Sequence, residues 1–150
     1  MTNSFKEAVE ATLEVADGYR SGLKALRRGY SDKIDVADSR KINGSLDIDT
    51  NTALLHPADH RWDYAIGYDG KIYYVEFHPA NTSEVTLVIE KLRWLKKWLK
   101  ERAVRIDSQP KGNPAYSWIQ SGKGALLPSS KEYRQAAANG IIPRSRLAIK

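Results

Sequence analysis

Apolar residues recur at helical spacing near the start of the chain: Phe5, Val9, Leu13, Ala16, Tyr19, Leu23 and Leu26 mark one face over residues 4–27. Ser4 ahead of Glu7 has the form of a capping box. The spacing predicts a helix, weakened in its second half by Gly18 and Gly22. Residues 29–43, with Gly29, Ser31, several aspartates and Asn43-Gly44, read as a loop leading to a turn. The period then changes to two. Residues 45–49 alternate and predict a first strand, which residues 53–55 extend beyond a polar stretch. Residues 62–68 and 71–78 predict two more, and Asp69-Gly70 between them is a strong hairpin signal; Pro79 ends the third. Residues 83–102 predict the longest helix, with Ser83 as its N-cap and an apolar arc of Val85, Val88, Leu92, Leu95 and Leu99 broadened by Leu87, Trp94 and Trp98. An arc that wide predicts a helix packed deep against a sheet. Beyond a loop at 109–114, residues 115–119 predict a fourth strand with 124–127 as its partner. A short helix follows from Ser129 or Ser130 to Ala138, and residues 146–149 form a terminal strand. The order defines an α+β or three-layer α/β fold in one domain spanning residues 1–150.

Composition narrows the chemistry. With no cysteine among its 150 residues, the chain has no disulfide, thiolate zinc site, iron–sulfur cluster or thiol nucleophile. No apolar run approaches the ~18 residues of a membrane span, and the acidic, amphipathic first residues do not resemble a signal peptide, so a cytoplasmic protein without membrane contact is expected. The net charge of +6 is uneven, because residues 91–150 contain only Glu101, Asp107 and Glu132 as acids. Such a basic part suits an anionic partner, nucleic acid first; a merely solvated basic face is the competing reading. The expected phosphate contacts are Lys96, Lys97 and Lys100 on the long helix, and Lys111 and Lys123 beside the fourth strand. Tyr116 and Trp118 on that strand either stack bases or fill the core.

The hairpin carries the strongest chemical signal. If Asp69 and Gly70 are the two loop residues, Tyr68 pairs with Lys71, and the same register sets Asp63 opposite Glu76 on one face. His78 shares that face, two residues on. Facing carboxylates repel unless a cation or proton lies between them, and hard oxygens on rigid strands are what Mg²⁺ or Mn²⁺ requires. Asp47 and Asp49 form a second pair, better read as a solvated edge strand. Zinc at His56 and His60 lacks a helix to hold it, and Gly122-Lys123-Gly124 is too short for a phosphate-binding loop.

A leading helix with a glutamate, a hairpin with Asp on one strand and Glu-x-Lys on the next, and then a long helix resembles the core of the PD-(D/E)xK nuclease superfamily. Residues 4–120 carry that order, with Asp63 and Glu76-Phe77-His78 at the motif positions and a basic C-terminal extension. The resemblance implies metal-dependent hydrolysis of phosphodiester bonds in nucleic acid, DNA in the first instance, with Asp63 and Glu76 as the metal ligands. It implies a helix carboxylate too, for which Glu10 and Glu14 are both candidates. His78 departs from the pattern by standing in the lysine position. It would act as a neutral base or a metal ligand, or else Lys91 on the long helix would replace the lysine. A non-catalytic module on the same fold, binding nucleic acid or a protein, is the alternative. Cutting both strands of a duplex at once would require a second copy of the chain.

Overall fold

Asp69 and Gly70 take positive φ angles of 49° and 77°, as a two-residue hairpin turn requires. In the computed structural model, which describes residues 3–150, this turn joins β4 (Tyr64–Tyr68) to β5 (Lys71–His78) with Tyr68 opposite Lys71 and Tyr64 opposite Val75. On the other side of β4 lies β3 (Ile42–Asp47), antiparallel, and β1 (Tyr19–Arg20) extends the sheet beyond it. A long helix, α3 (Val85–Arg102), then carries the chain back so that β6 (Lys111–Gln120) runs parallel to β5. The five-stranded sheet therefore has the order β1-β3-β4-β5-β6.

Alternation along the strands divides the core between the two faces of this sheet. One face holds Ala65, Tyr74 and Trp118, packed with Val88, Leu92, Leu95 and Leu99 of α3 and with Phe5 and Val9 of α1 (Ser4–Glu10). The other holds Tyr64, Ile66, Val75, Phe77 and Ile119. Leu26 covers it together with a small parallel sheet made of β2 (Ile34–Val36) and β7 (Leu147–Ile149). The fold is thus α+β, in three layers. A short α2 (Ile48–Thr52) follows β3, α4 (Val104–Asp107) follows α3, and α5 (Lys131–Ala138) packs on α3. No helix among the described residues is long and apolar enough to cross a membrane.

Several local expectations are corrected. The helix expected over 4–27 ends at Glu10, and Leu13 of its apolar stripe is 92% exposed. A 3₁₀ turn at Leu13–Val15 follows, and Gly18 beyond it lies against Leu46 and Asn51, where an added Cβ would come within 2.9 Å of both side chains. Leu26, further along the supposed stripe, joins the opposite face of the sheet. Asp47 does not alternate with Asp49 on a strand: its side chain caps α2 by accepting from Thr50 N–H at 2.9 Å, and Asp49 lies within that helix. Residues 53–55 continue no strand, and Leu54 and Leu55 are exposed. Residues 29–43 hold β2 as well as turns, and the 109–114 segment largely belongs to β6. Residues 124–127 form no strand. Ser83 lies in a single 3₁₀ turn, and Glu84 precedes the first residue of α3.

Candidate metal and catalytic site

Asp63 lies one residue before β4. Continuing the hairpin register places it opposite Glu76, and each carboxylate accepts from the other strand's backbone. Asp63 N–H donates to Glu76 Oε1 at 3.0 Å, and Phe77 N–H donates to Asp63 Oδ2 at 2.9 Å. Reciprocal bonds of this kind lock both side chains at the carboxyl end of β5. Lys91 reaches them from the second turn of α3, donating from Nζ to Glu76 Oε2 and lying 3.9 Å from Asp63 Oδ1. His78, two residues beyond Glu76, places Nδ1 3.5 Å from Glu76 Oε2 and Nε2 3.5 Å from Glu84 Oε2. The structure therefore brings Asp63, Glu76, His78 and Lys91 together and adds Glu84, which no local pattern marked.

The charges are unevenly compensated. The Glu76 side chain is fully buried, and that of Asp63 is 17% exposed. Burial, followed by the adjacent Glu76 charge, raises the Asp63 carboxyl to about 7. The same Glu76 carboxylate lifts the His78 imidazole above its ordinary range, with Glu84 adding to the effect, so His78 is biased towards its protonated form. Burial pulls the Lys91 ammonium down, but Glu76 and Asp63 together outweigh it and hold its pKa above the ordinary value.

The donors suit a hard divalent cation in chemistry, if not in number. Asp63, Glu76 and Glu84 present three carboxylates against one lysine and one histidine, and Asp63 Oδ1 is met by a cation only at 3.9 Å. Among the described residues no three acidic or imidazole groups converge as a metal cage. Mg²⁺ or Mn²⁺ would therefore rest on Asp63 and Glu76, would compete with Lys91 for Glu76 Oε2, and would keep most of its water, as Mg²⁺ readily does.

Neither helix-carboxylate candidate joins this group. Glu10 is exposed. Glu14, well buried, instead accepts from His56 Nε2 at 2.8 Å and Trp98 Nε1 at 3.1 Å in a separate cluster, because the chain has left the helix before reaching it. His56 is held by that cluster, while His60 lies 3.4 Å from Glu90, so the two imidazoles form no zinc pair.

The basic residues are spread out. Lys96, Lys97 and Lys100 line an open groove on the solvent side of α3, and Lys96 also sits over the Tyr116 ring at 5.0 Å. Trp118 is core. Lys123 follows β6 at the same sheet end as His78. Lys111 lies beside Ile72, at the far end of the sheet, 3.7 Å from Asp107, and is not near the carboxylates. A shallow cleft beyond the site end, lined by Arg27, Arg28, Tyr30 and Lys33, escaped the sequence because those side chains belonged to a stretch read as helix and loop.

The chain matches no family model, no curated protein and no solved structure.

Proposed function

We propose that the protein is a metal-dependent nuclease in which Asp63 and Glu76 hold Mg²⁺ or Mn²⁺ and Lys91, rather than a strand lysine, supplies the cation beside them. The observation that carries this reading is the Lys91 ammonium meeting the Asp63–Glu76 pair from α3. A phosphodiester substrate brings its own negative charge to the pair, and a fixed ammonium offsets it. When bound, the divalent ion would polarise the phosphoryl oxygens and lower the pKa of a coordinated water. Lys91 orients the attacking water or a phosphate oxygen by donating from Nζ. His78, with its ring nitrogens facing Glu76 and Glu84, would carry a proton beside the metal or ligate the ion itself.

The test is cleavage of plasmid, single-stranded DNA and RNA with Mg²⁺, Mn²⁺ or EDTA. Metal-dependent cutting that Glu76→Gln abolishes supports the enzyme, and a folded Glu76→Gln variant that cuts as well as the parent refutes it. A second reading, a non-catalytic nucleic-acid or protein-binding module, is favoured by one fact: both Glu76 oxygens are already committed, to Asp63 N–H and to Lys91. Retention on nucleic acid without cutting under any metal would establish it.

The lysine groove makes its own prediction. Reversing Lys96, Lys97 and Lys100 together to glutamate should weaken nucleic-acid binding alike for all sequences. The slope of log affinity against log salt should become shallower by ~0.7–0.9 for each phosphate the protein no longer neutralises. An unchanged slope would place the nucleic acid elsewhere.

A further inference from the structure

The cluster that captured Glu14 encloses a cavity the proposed chemistry does not use. Its volume is about 250 Å³, and its walls are the Trp94 and Trp98 rings, His56, Asp59, Lys97 and Arg102. The two indoles lie parallel, with centroids 5.7 Å apart and 11° between their planes, and His56 meets Trp94 edge-on. Each aromatic wall is held by a hydrogen bond, Trp98 and His56 from the buried side and Trp94 across the rim. Trp98 Nε1 and His56 Nε2 donate to Glu14, Trp94 Nε1 donates to Asp59 Oδ2 at 3.1 Å, and Arg61 donates to the His56 carbonyl at 2.7 Å. The pocket is therefore preformed and does not have to be ordered by its occupant.

Three properties specify that occupant. The volume falls below the ~300–1,000 Å³ usual for whole small-molecule ligands, so it suits a single flat ring system. The rim offers donors in Lys97 and Arg102 and acceptors in Asp59 and Glu101, a mixture that matches the edge of a nucleobase better than a phosphate. Lys97 and Glu101 also border the open groove of Lys96 and Lys100, so the aromatic pocket and a lysine track share a wall. An aromatic platform beside a positive track is how single strands are held without sequence preference. The pocket is also close to the carboxylates along the helix: Trp94 and Trp98 follow Lys91 by three and seven residues on one side of α3, a rise of ~4.5 and ~10.5 Å.

Resting on the nucleic-acid reading above, the geometry points to this pocket as the seat of an unpaired base of the bound strand, with its backbone on the Lys96–Lys97–Lys100 track. The substrate is then single-stranded or locally unpaired nucleic acid, because a base stacked in an intact duplex cannot enter.

The test needs no catalysis. In EDTA, the protein is titrated with a short single-stranded oligonucleotide, with the blunt duplex of the same sequence and with a mononucleotide, reading affinity by anisotropy and intrinsic tryptophan fluorescence. Trp62, Trp98 and Trp118 are all buried, whereas Trp94 is partly exposed, so quenching by a stacked base reports chiefly Trp94. Single strands should quench and bind at least ~10-fold tighter than duplex, and Trp94→Ala should weaken that binding by ~5–100-fold, the worth of one stacked base. Trp94→Phe, which keeps a ring, should retain most of the affinity and guards against a folding defect in the alanine variant. Quenching by the mononucleotide alone would make the pocket a free-nucleotide site and overturn the strand assignment. Duplex bound as tightly as single strand, with both Trp94 variants unaffected, would overturn the pocket itself, whether or not the protein cuts. Trp94-dependent binding without metal-dependent cutting would remove the nuclease and leave the pocket standing.

Discussion

Lys91→Met is expected to destabilise the protein by ~3–5 kcal/mol at pH 8, the usual cost of removing one partner from a buried charged pair. Methionine reproduces the aliphatic stem of Lys91, so the loss measures the ammonium. Without it, Glu76 and Asp63 face each other across the strand end with no lysine between them. Two recoveries should accompany the loss. At pH 5 the variant should regain much of its stability, because one of the two carboxyls then holds a proton. At pH 8 millimolar Mn²⁺ should raise its melting temperature more than it raises the parent's, since the ion no longer competes with an ammonium for Glu76 Oε2. Cutting should fall by ~10²–10³, the effect of deleting one fixed donor at a reacting centre. Denaturation and thermal melts across pH and metal concentration read the stability changes, and the cleavage assay reads the rate. A stability indistinguishable from the parent's would mean that Lys91 does not neutralise the pair.

Asp63→Asn should do the reverse and stabilise the protein above neutral pH. A carboxyl raised to about 7 in the folded state keeps its proton where the unfolded chain, with its ordinary value of 3.8, has lost it. Unfolding then releases a proton, so stability falls as pH rises from ~4 to ~7 and levels off above. The gap corresponds to a cost on the order of 4 kcal/mol at pH 8, at ~1.4 kcal/mol per pH unit. Asparagine keeps an oxygen for Phe77 N–H and leaves Lys91 and Glu76 as a balanced pair. The variant should be more stable than the parent at pH 8, equal to it near pH 4, and indifferent to Mn²⁺. Some decline above pH 6.5 should survive in the variant and belongs to His78. Its raised pKa favours folding at pH below 6.5, and that contribution is lost as pH rises through the folded value. A parent whose stability is flat between pH 4 and 8 would rule out a raised Asp63 pKa.

The carboxylate pair was legible in the sequence because a two-residue turn leaves the register no freedom. Once Asp69 and Gly70 turn the chain, Asp63 and Glu76 must meet. Strand alternation and the long apolar arc of α3 were equally readable, because burial on a sheet imposes both. The first helix misled for a physical reason. Helical spacing of apolar residues records that each is buried somewhere, not that all are buried by one element, and Phe5 and Leu26 serve opposite faces of the sheet. Glu14 was beyond reach, since its partners His56 and Trp98 lie 42 and 84 residues away and only the tertiary fold brings them together. Lys91 was named from the sequence only as a substitute for the missing strand lysine, because its reach to Glu76 depends on how α3 docks. Residues 124–127 were read as a strand from apolar content alone, and Leu127 is exposed.

The pairing of β2 with β7 joins segments far apart in the chain. Ile34 aligns with Leu147 and Val36 with Ile149, and Arg146 clamps the junction by donating from Nε and Nη2 to Asp35 at 2.8 and 2.7 Å. Loop closure over such a span is entropically slow to achieve, whereas the β4–β5 hairpin forms locally. During synthesis the face bearing Tyr64, Phe77 and Ile119 stays without this cover until residues 147–149 have been made. Over that interval the nascent chain displays an aromatic sheet face, the kind of exposed apolar surface that makes a partly folded chain prone to aggregate.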